Sequence, residues 1–233
     1  MKIVVIDTGI KQSFAQYVDE FYYIEGQEVY KGNKDTENDH GGICAAIIKK
    51  YFTESEIVSM QILDENGKTD IDRLLLALEW CLKQEINIIS LSLGSVFSED
   101  KQKMENVIHK LLKKDIVLVA AANNTNTVTY PASMEGVIGV KCDLSDTLVA
   151  QQIFVDTEDI RNIEVTVGSL KDCDGLKQYN LGYHNSFVVP YVTAQIAKKF
   201  KKGNVPLAAL DSNVKCVPKE FYMNSFPFLY KTE

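Results

Sequence analysis

Short apolar, β-branched runs alternate along this chain with segments in which apolar residues recur at intervals of three and four. Ile3 to Ile6, Ile57 to Ile62, Ile86 to Leu91, Ile116 to Ala120 and Val137 to Val140 are runs of the first kind, with the length and composition of buried strands. Ile71, Leu74, Leu75, Leu78 and Leu82 mark one face of a helix over Ile71 to Leu82. Val107, Ile108, Leu111 and Leu112 do the same within Asp100 to Lys114. Gly42 to Phe52 reads as a further helix, apolar early and carrying Lys49 and Lys50 near its end. Strands that are apolar throughout and alternate with helices need crossover connections. The pattern therefore predicts an α/β fold, a mainly parallel central sheet with helices on both faces. Ligands of such sheets bind beyond the carboxyl ends of the strands, so the chemistry is expected there.

Three stretches fit this alternation less well. Phe14 to Asp39 is polar and aromatic, with Gly26, Gly32 and Asn33, and reads as a loop or hairpin. Asp143 to Tyr183 has room for short strands at Ile153 to Val155 and Ile163 to Val167. After Lys202 come Pro206, Pro218, Pro227 and an aromatic run from Phe221 to Tyr230. No repeat or linker interrupts the chain. Residues 1–233 are thus expected to form one domain, with 203–233 as a C-terminal extension packed on it.

Composition narrows the partners. Of 233 residues, 45% are hydrophobic and 24% charged, the balance of a soluble globular protein. Twenty-five Lys and Arg against 32 Asp and Glu leave a net charge of −7, which argues against nucleic acid or an anionic membrane as partner. Ile116 to Ala122 is among the longest apolar stretches and falls far short of the ~18–20 residues of a membrane span. The first apolar run meets Asp7 too early for a signal peptide. Five cysteines form no C-x-x-C pair, which fits reduced thiols and a cytoplasmic location. The oligomeric state is not legible.

Candidate chemistry sits at the predicted strand ends. Asp7 closes the first strand before Thr8-Gly9, where a carboxylate can orient a base, ligate a metal or cap a turn. The same tripeptide serves aspartic proteases, but no second copy is present, so that chemistry would need a homodimer. His40, in Asp39-His40-Gly41-Gly42, heads a helix as a capping, packing or catalytic residue. His109 lies on a charged helix face, and the chain has no zinc-ligand spacing. Ser186 precedes a helical run with Pro190, read as lying in its first turn, which makes Ser186 an N-cap. That position also sets its hydroxyl where the helix dipole favours developing negative charge. Asn124 ends the apolar strand, where its amide is a turn former or a hydrogen-bond donor at a pocket mouth.

The order Asp7, His40, Ser186 is one of the known chain orders of the serine triad, and the flanking residues resemble the subtilisin-like serine peptidases. Val5 to Ile10 is similar to their first catalytic segment, Asp39-His40-Gly41 to their histidine segment, and Ile88 to Gly94 to the strand that pairs with substrate. Val119 to Asn124 resembles the segment ending in the oxyanion-hole Asn, Tyr130-Pro131-Ala132 and Val137 to Val140 match the stretch that follows, and Ser186 with Pro190 resembles the nucleophile segment. The resemblance implies a three-layer fold and a serine endopeptidase acting through an acyl-enzyme. Asp7, His40 and Ser186 would be catalytic, and Asn124 with the Ser186 N–H would form the oxyanion hole. Ser92, Leu93 and Gly94 would pair with an extended peptide or precursor peptide. Ala120, Ala121, Ala122, Thr129, Tyr130 and Pro131 would line the pocket before the scissile bond, with the Tyr130–Pro131 bond cis as in the family.

No cofactor and no metal are expected. Asp64, Glu65, Asp70 and Asp72 could favour basic substrates or simply form a solvated helix start. Five positions depart from the family: Gly42 and Ile43 after His40-Gly41, Asn123 before the oxyanion Asn, and His184-Asn185 before the nucleophile. These departures leave two readings, a narrow-specificity processing protease such as one that removes a leader peptide, or a catalytically weak peptide-binding protein.

Overall fold

The computed structural model describes residues 1–199 except 126, 157 and 172, together with Leu207 and Leu210. Apart from those two leucines, the 203–233 extension lies outside the described residues. Leu210 is buried in the core and Leu207 packs against it.

Among the described residues, nine strands form one sheet. In chain order they are β1 (Lys2–Asp7), β2 (Glu20–Glu25), β3 (Glu28–Lys31), β4 (Glu56–Gln61), β5 (Ile88–Leu91), β6 (Val117–Ala121), β7 (Ile138–Cys142), β8 (Ile153–Val155) and β9 (Val165–Val167). Their spatial order is β3-β2-β4-β1-β5-β6-β7-β9-β8. All pairs are parallel except the hairpin β2–β3 and the edge pair β8–β9. Four helices, α1 (His40–Tyr51), α2 (Ile71–Cys81), α3 (Ser98–Lys113) and α4 (Asn185–Lys199), cover it. This is the predicted α/β arrangement, a mainly parallel central sheet flanked by helices.

The five strands and three helices read from the hydrophobic pattern, β1, β4 to β7 and α1 to α3, fall where it puts them, within about two residues at each end. Of the two readings of Phe14 to Asp39, a loop or a hairpin, the hairpin is found. A 3₁₀ helix (Gln12–Tyr17) precedes the β2–β3 hairpin, and β2 joins the sheet parallel to β4. The second predicted short strand is confined to Val165–Val167.

Side-chain alternation along β1 explains the two cores. Ile3 and Val5 pack with α1 and α4 on one face, and Val4 and Ile6 pack with α2 and α3 on the other. Asp7 follows in the Ile3–Val5 register, so the end of β1 delivers its carboxylate to the face that α1 covers. Strand order reverses at β1: chain growth puts β4 on one side and, after α2, β5 on the other. That reversal opens the crevice where sheets of this kind bind ligands.

The join between β1 and α1 is tight. Gly41 N–H donates to Thr8 Oγ1 at 3.1 Å, and a Cβ on Gly41 would lie 2.3 Å from the Gly9 carbonyl oxygen. Gly41→Ala must therefore push the start of α1 away from β1. The better helix propensity of Ala returns about 1 kcal/mol, while the steric clash costs about 1–3 kcal/mol. We expect a net loss in urea unfolding, accompanied by lower activity; unchanged stability would contradict the close approach. At the neighbouring Gly42, where the family carries Thr, a Cβ would lie 2.4 Å from Phe14 Cγ. The ring of Phe14 occupies the space that a larger residue would need.

Candidate active site

Asp7 is 2% exposed. Its Oδ1 accepts the Thr8 N–H at 2.8 Å and lies 2.8 Å from His40 Nδ1. Asp7 Oδ2 is buried with no hydrogen-bond partner among the described residues. His40 is the first residue of α1, and its own N–H donates to Asn38 Oδ1 at 2.9 Å. The partner of Asp7 is thus an imidazole, not a second carboxylate, which removes the aspartic-protease arrangement. Burial of the ring opposes its protonation, but the Asp7 carboxylate beside it prevails, and the His40 pKa is pushed up to about 11.

Ser186 reaches the same place from the other end of the chain. Sequence reasoning made it an N-cap, but α4 begins at Asn185 and Ser186 is its second residue. Pro190, expected in the first turn, is the sixth residue and sits in the second. The helix is seated deep in the α1 face because apolar residues cover most of its circumference. Phe187 stacks on the His40 ring at 4.8 Å between centroids, which sets Ser186 beside the Asp7–His40 pair. Among the described residues, neither the N–H nor the Oγ of Ser186 is engaged by another group, His40 included.

Asn185 ties this turn to the sheet. It is 5% exposed. Its Oδ1 accepts the Cys142 N–H at 2.7 Å, and its Nδ2 donates to the Ala122 and Asn123 carbonyls at 2.9 and 3.1 Å. Its N–H donates to Asn124 Oδ1 at 3.1 Å. That last bond fixes the Asn124 amide with its oxygen inward, so Nδ2 is the end left to donate. The departure at His184-Asn185 is thus answered structurally, by a residue whose four hydrogen bonds, three of them from its side chain, join the segment after β6, β7 and α4. His184 is exposed, and His109 is exposed on α3.

The residues expected to bind substrate are placed unevenly. Ser92, Leu93 and Gly94 follow β5, and their backbones are unpaired among the described residues until Ser95 bridges antiparallel to Tyr130. Ser92 Oγ is turned inward, donating to the Ser186 carbonyl at 2.8 Å. The Tyr130–Pro131 bond is cis. Ala120, Ala121 and Thr129 are buried, Pro131 is buried and Tyr130 half-buried. Thr129 Oγ1 accepts the Asn123 N–H at 3.0 Å, closing the short loop between them. A cavity of about 50 Å³ lies nearby; of the expected pocket lining only Ala122 borders it, together with the expected oxyanion residue Asn124. Lys141 and Arg161 also border it, sharing the Asp159 carboxylate at 3.4 and 3.3 Å. Asp64 accepts turn N–H groups, and Asp70 caps α2 by accepting from the Arg73 N–H at 2.8 Å. Two of the acidic four are therefore occupied as local caps.

Sequence reasoning missed Cys44. It lies one turn after His40 on the same helix face, which was the signal available. Its buried Sγ is 3.9 Å from His40 Nδ1 and 3.5 Å from Ser92 Oγ. Asp7, His40 and Cys44 are the one grouping among the described residues with metal-ligand atoms mutually within 4.8 Å. Burial raises the thiol pKa and keeps it protonated, and the imidazole nitrogen already faces the carboxylate, so the donor set suits hydrogen bonding rather than a resident cation. Cys81, Cys142 and Cys173 are also free and buried; Cys216 lies outside the described residues.

A carboxylate–imidazole pair at the end of a central parallel strand, faced by a serine in the first turn of a buried helix, defines the subtilisin-like class. The subtilase family profile matches residues 1–153, more than half of the chain, and the protein belongs to that family. Asp7, His40 and Asn124 lie inside the match and Ser186 beyond it. The minor extracellular protease Epr of Bacillus subtilis (strain 168) is 28% identical over 154 residues, 60% of this chain and 23% of that protein. The match therefore covers less than a quarter of Epr's length. Among solved structures, sphericase shares the fold with a TM-score of 0.65 at 19% identity, covering 91% of this chain and 81% of its own. A lanthipeptide protease does so with a TM-score of 0.60 at 17% identity, covering 84% and 72%. No helix among the described residues is long and apolar enough to cross a membrane.

Proposed function

We propose that this chain is a serine endopeptidase that cuts an extended peptide through an acyl-enzyme. The observation that carries this reading is the 2.8 Å contact between Asp7 Oδ1 and His40 Nδ1, with the Ser186 turn stacked against the same imidazole. A serine hydroxyl is a poor nucleophile at neutral pH and needs an adjacent base. His40 takes the Ser186 proton as Oγ attacks the scissile carbonyl, then returns it to the leaving amine. Asp7 holds the imidazole with its Nε2 toward the serine and stabilises the imidazolium. Asn124 Nδ2 and the Ser186 N–H bind the oxyanion. The unpaired backbone of Ser92 to Gly94 receives the substrate as an added strand.

We further propose narrow specificity, the removal of a leader from a precursor peptide. The fold likeness to a lanthipeptide protease and the short, closed loop between Asn123 and Thr129 support it. Intact mass after treatment with a fluorophosphonate, with Ser186→Ala as control, tests the chemistry. A single adduct on the wild type alone is expected. A folded protein that takes none would instead favour the catalytically weak peptide-binding reading. Rapid cleavage of casein at many sites would overturn the narrow specificity but not the chemistry.

A further inference from the structure

We propose that Ser92 is a positioning residue whose hydroxyl substitutes for a backbone donor that α4 lacks, and so fixes the peptide carrying Ser186. The inference rests on the reading of Ser186 as nucleophile. In an α-helix each carbonyl accepts the N–H four residues on. Four residues after Ser186 stands Pro190, which has no N–H and whose ring crowds that same carbonyl. The Ser186 carbonyl is therefore left without its helical partner in the turn where chemistry would occur.

Two side chains from other elements meet it. Ser92 Oγ, just after β5, donates at 2.8 Å. Cys44 Sγ, on α1, lies at 3.9 Å and is the weaker donor. Upstream of Ser186, the Asn185 N–H is held by Asn124 Oδ1 at 3.1 Å. The backbone is thus pinned on both sides of Ser186, while its own Oγ and N–H stay uncommitted. A strand-end hydroxyl, a helix thiol and a proline are otherwise unrelated features, and the orphaned carbonyl accounts for all three together.

The test compares Ser92→Ala, Ser92→Thr, Pro190→Ala and the Ser92→Ala/Pro190→Ala double variant. Each is assayed for the rate of fluorophosphonate labelling, for kcat and KM on a cleaved peptide, and for its melting temperature. Losing one hydrogen bond that orients the nucleophile is expected to slow labelling and kcat about tenfold, with KM changed less than twofold. Ser92→Thr keeps the hydroxyl and should recover most of the labelling rate that Ser92→Ala loses. Pro190→Ala restores an N–H four residues after Ser186, so Ser92→Ala should cost much less in that background, a coupling the double-mutant cycle measures. It also keeps the test open if Ser92→Ala alone folds poorly. If Ser92 only contacts substrate, the loss falls on KM, labelling is unaffected and Pro190→Ala rescues nothing; that outcome overturns the proposal while leaving Ser186 as nucleophile. A folded wild type that takes no label overturns the nucleophile reading and this one with it.

Discussion

Ser186→Ala is expected to lower kcat for peptide hydrolysis by about 10⁶-fold, with KM little changed. The magnitude is that found when the nucleophile is removed from a serine triad, whose members act as a unit. Nothing else at the site can substitute. The Ser92 hydroxyl is committed to the Ser186 carbonyl, and Cys44 is fully buried with its thiol pKa raised by that burial. A residual rate about 10³-fold or more above water should survive, because the proposed oxyanion donors and the peptide-binding edge remain. Steady-state kinetics on a cleaved peptide would check this, with the variant made in a host free of the wild type. A loss of less than a hundredfold would remove Ser186 from the chemistry.

Asp7→Asn is expected to cost about 10⁴-fold in kcat with the fold intact, since the amide fits the space but presents the wrong hydrogen-bonding partner to Nδ1. It should also change the pH profile. In the wild type His40 must lose its proton before it can act as base, and the Asp7 carboxylate holds its pKa well above the ordinary 6.5. Wild-type kcat/KM should therefore rise with pH on the alkaline side of 6.5. Without the carboxylate, burial of the ring dominates and pushes the pKa down, so the variant's smaller activity should rise at lower pH. Stability follows the same linkage. The charged pair stabilises the native state fully below the unfolded imidazole pKa, and that contribution is lost as pH rises through the raised native value. Urea unfolding across this range should show the loss in the wild type and not in Asp7→Asn. Superimposable pH–rate profiles would mean that Asp7 does not control His40.

Much of this was written locally. Period-two alternation placed Asp7 on the same face as Ile3 and Val5, and that is the face α1 and α4 cover. The strand-then-helix pattern set His40 at the head of α1 and Asn124 after β6. The ordered segments around Asp7, His40, Asn124 and Ser186 carried the family. These features survive in sequence because each depends on near neighbours: a strand end, a helix start, a run of small residues.

Other features had no local mark. Asn185 read as a defect before the nucleophile, yet it is the residue that bonds β6, β7 and Asn124 together. Ser92 read as substrate edge, but its hydroxyl turns inward to a carbonyl 94 positions away. Gly42 read as a missing Thr, until Phe14 proved to fill the space. Ser186 was misplaced by two helical positions, because serine before an apolar run signals a cap whether or not the helix has already begun. What the sequence by itself determined was the order of elements and the identity of the reactive groups. What only the tertiary structure decided was which side chain satisfies which backbone atom, because those bonds join residues far apart in the chain that packing alone brings within 3 Å or so.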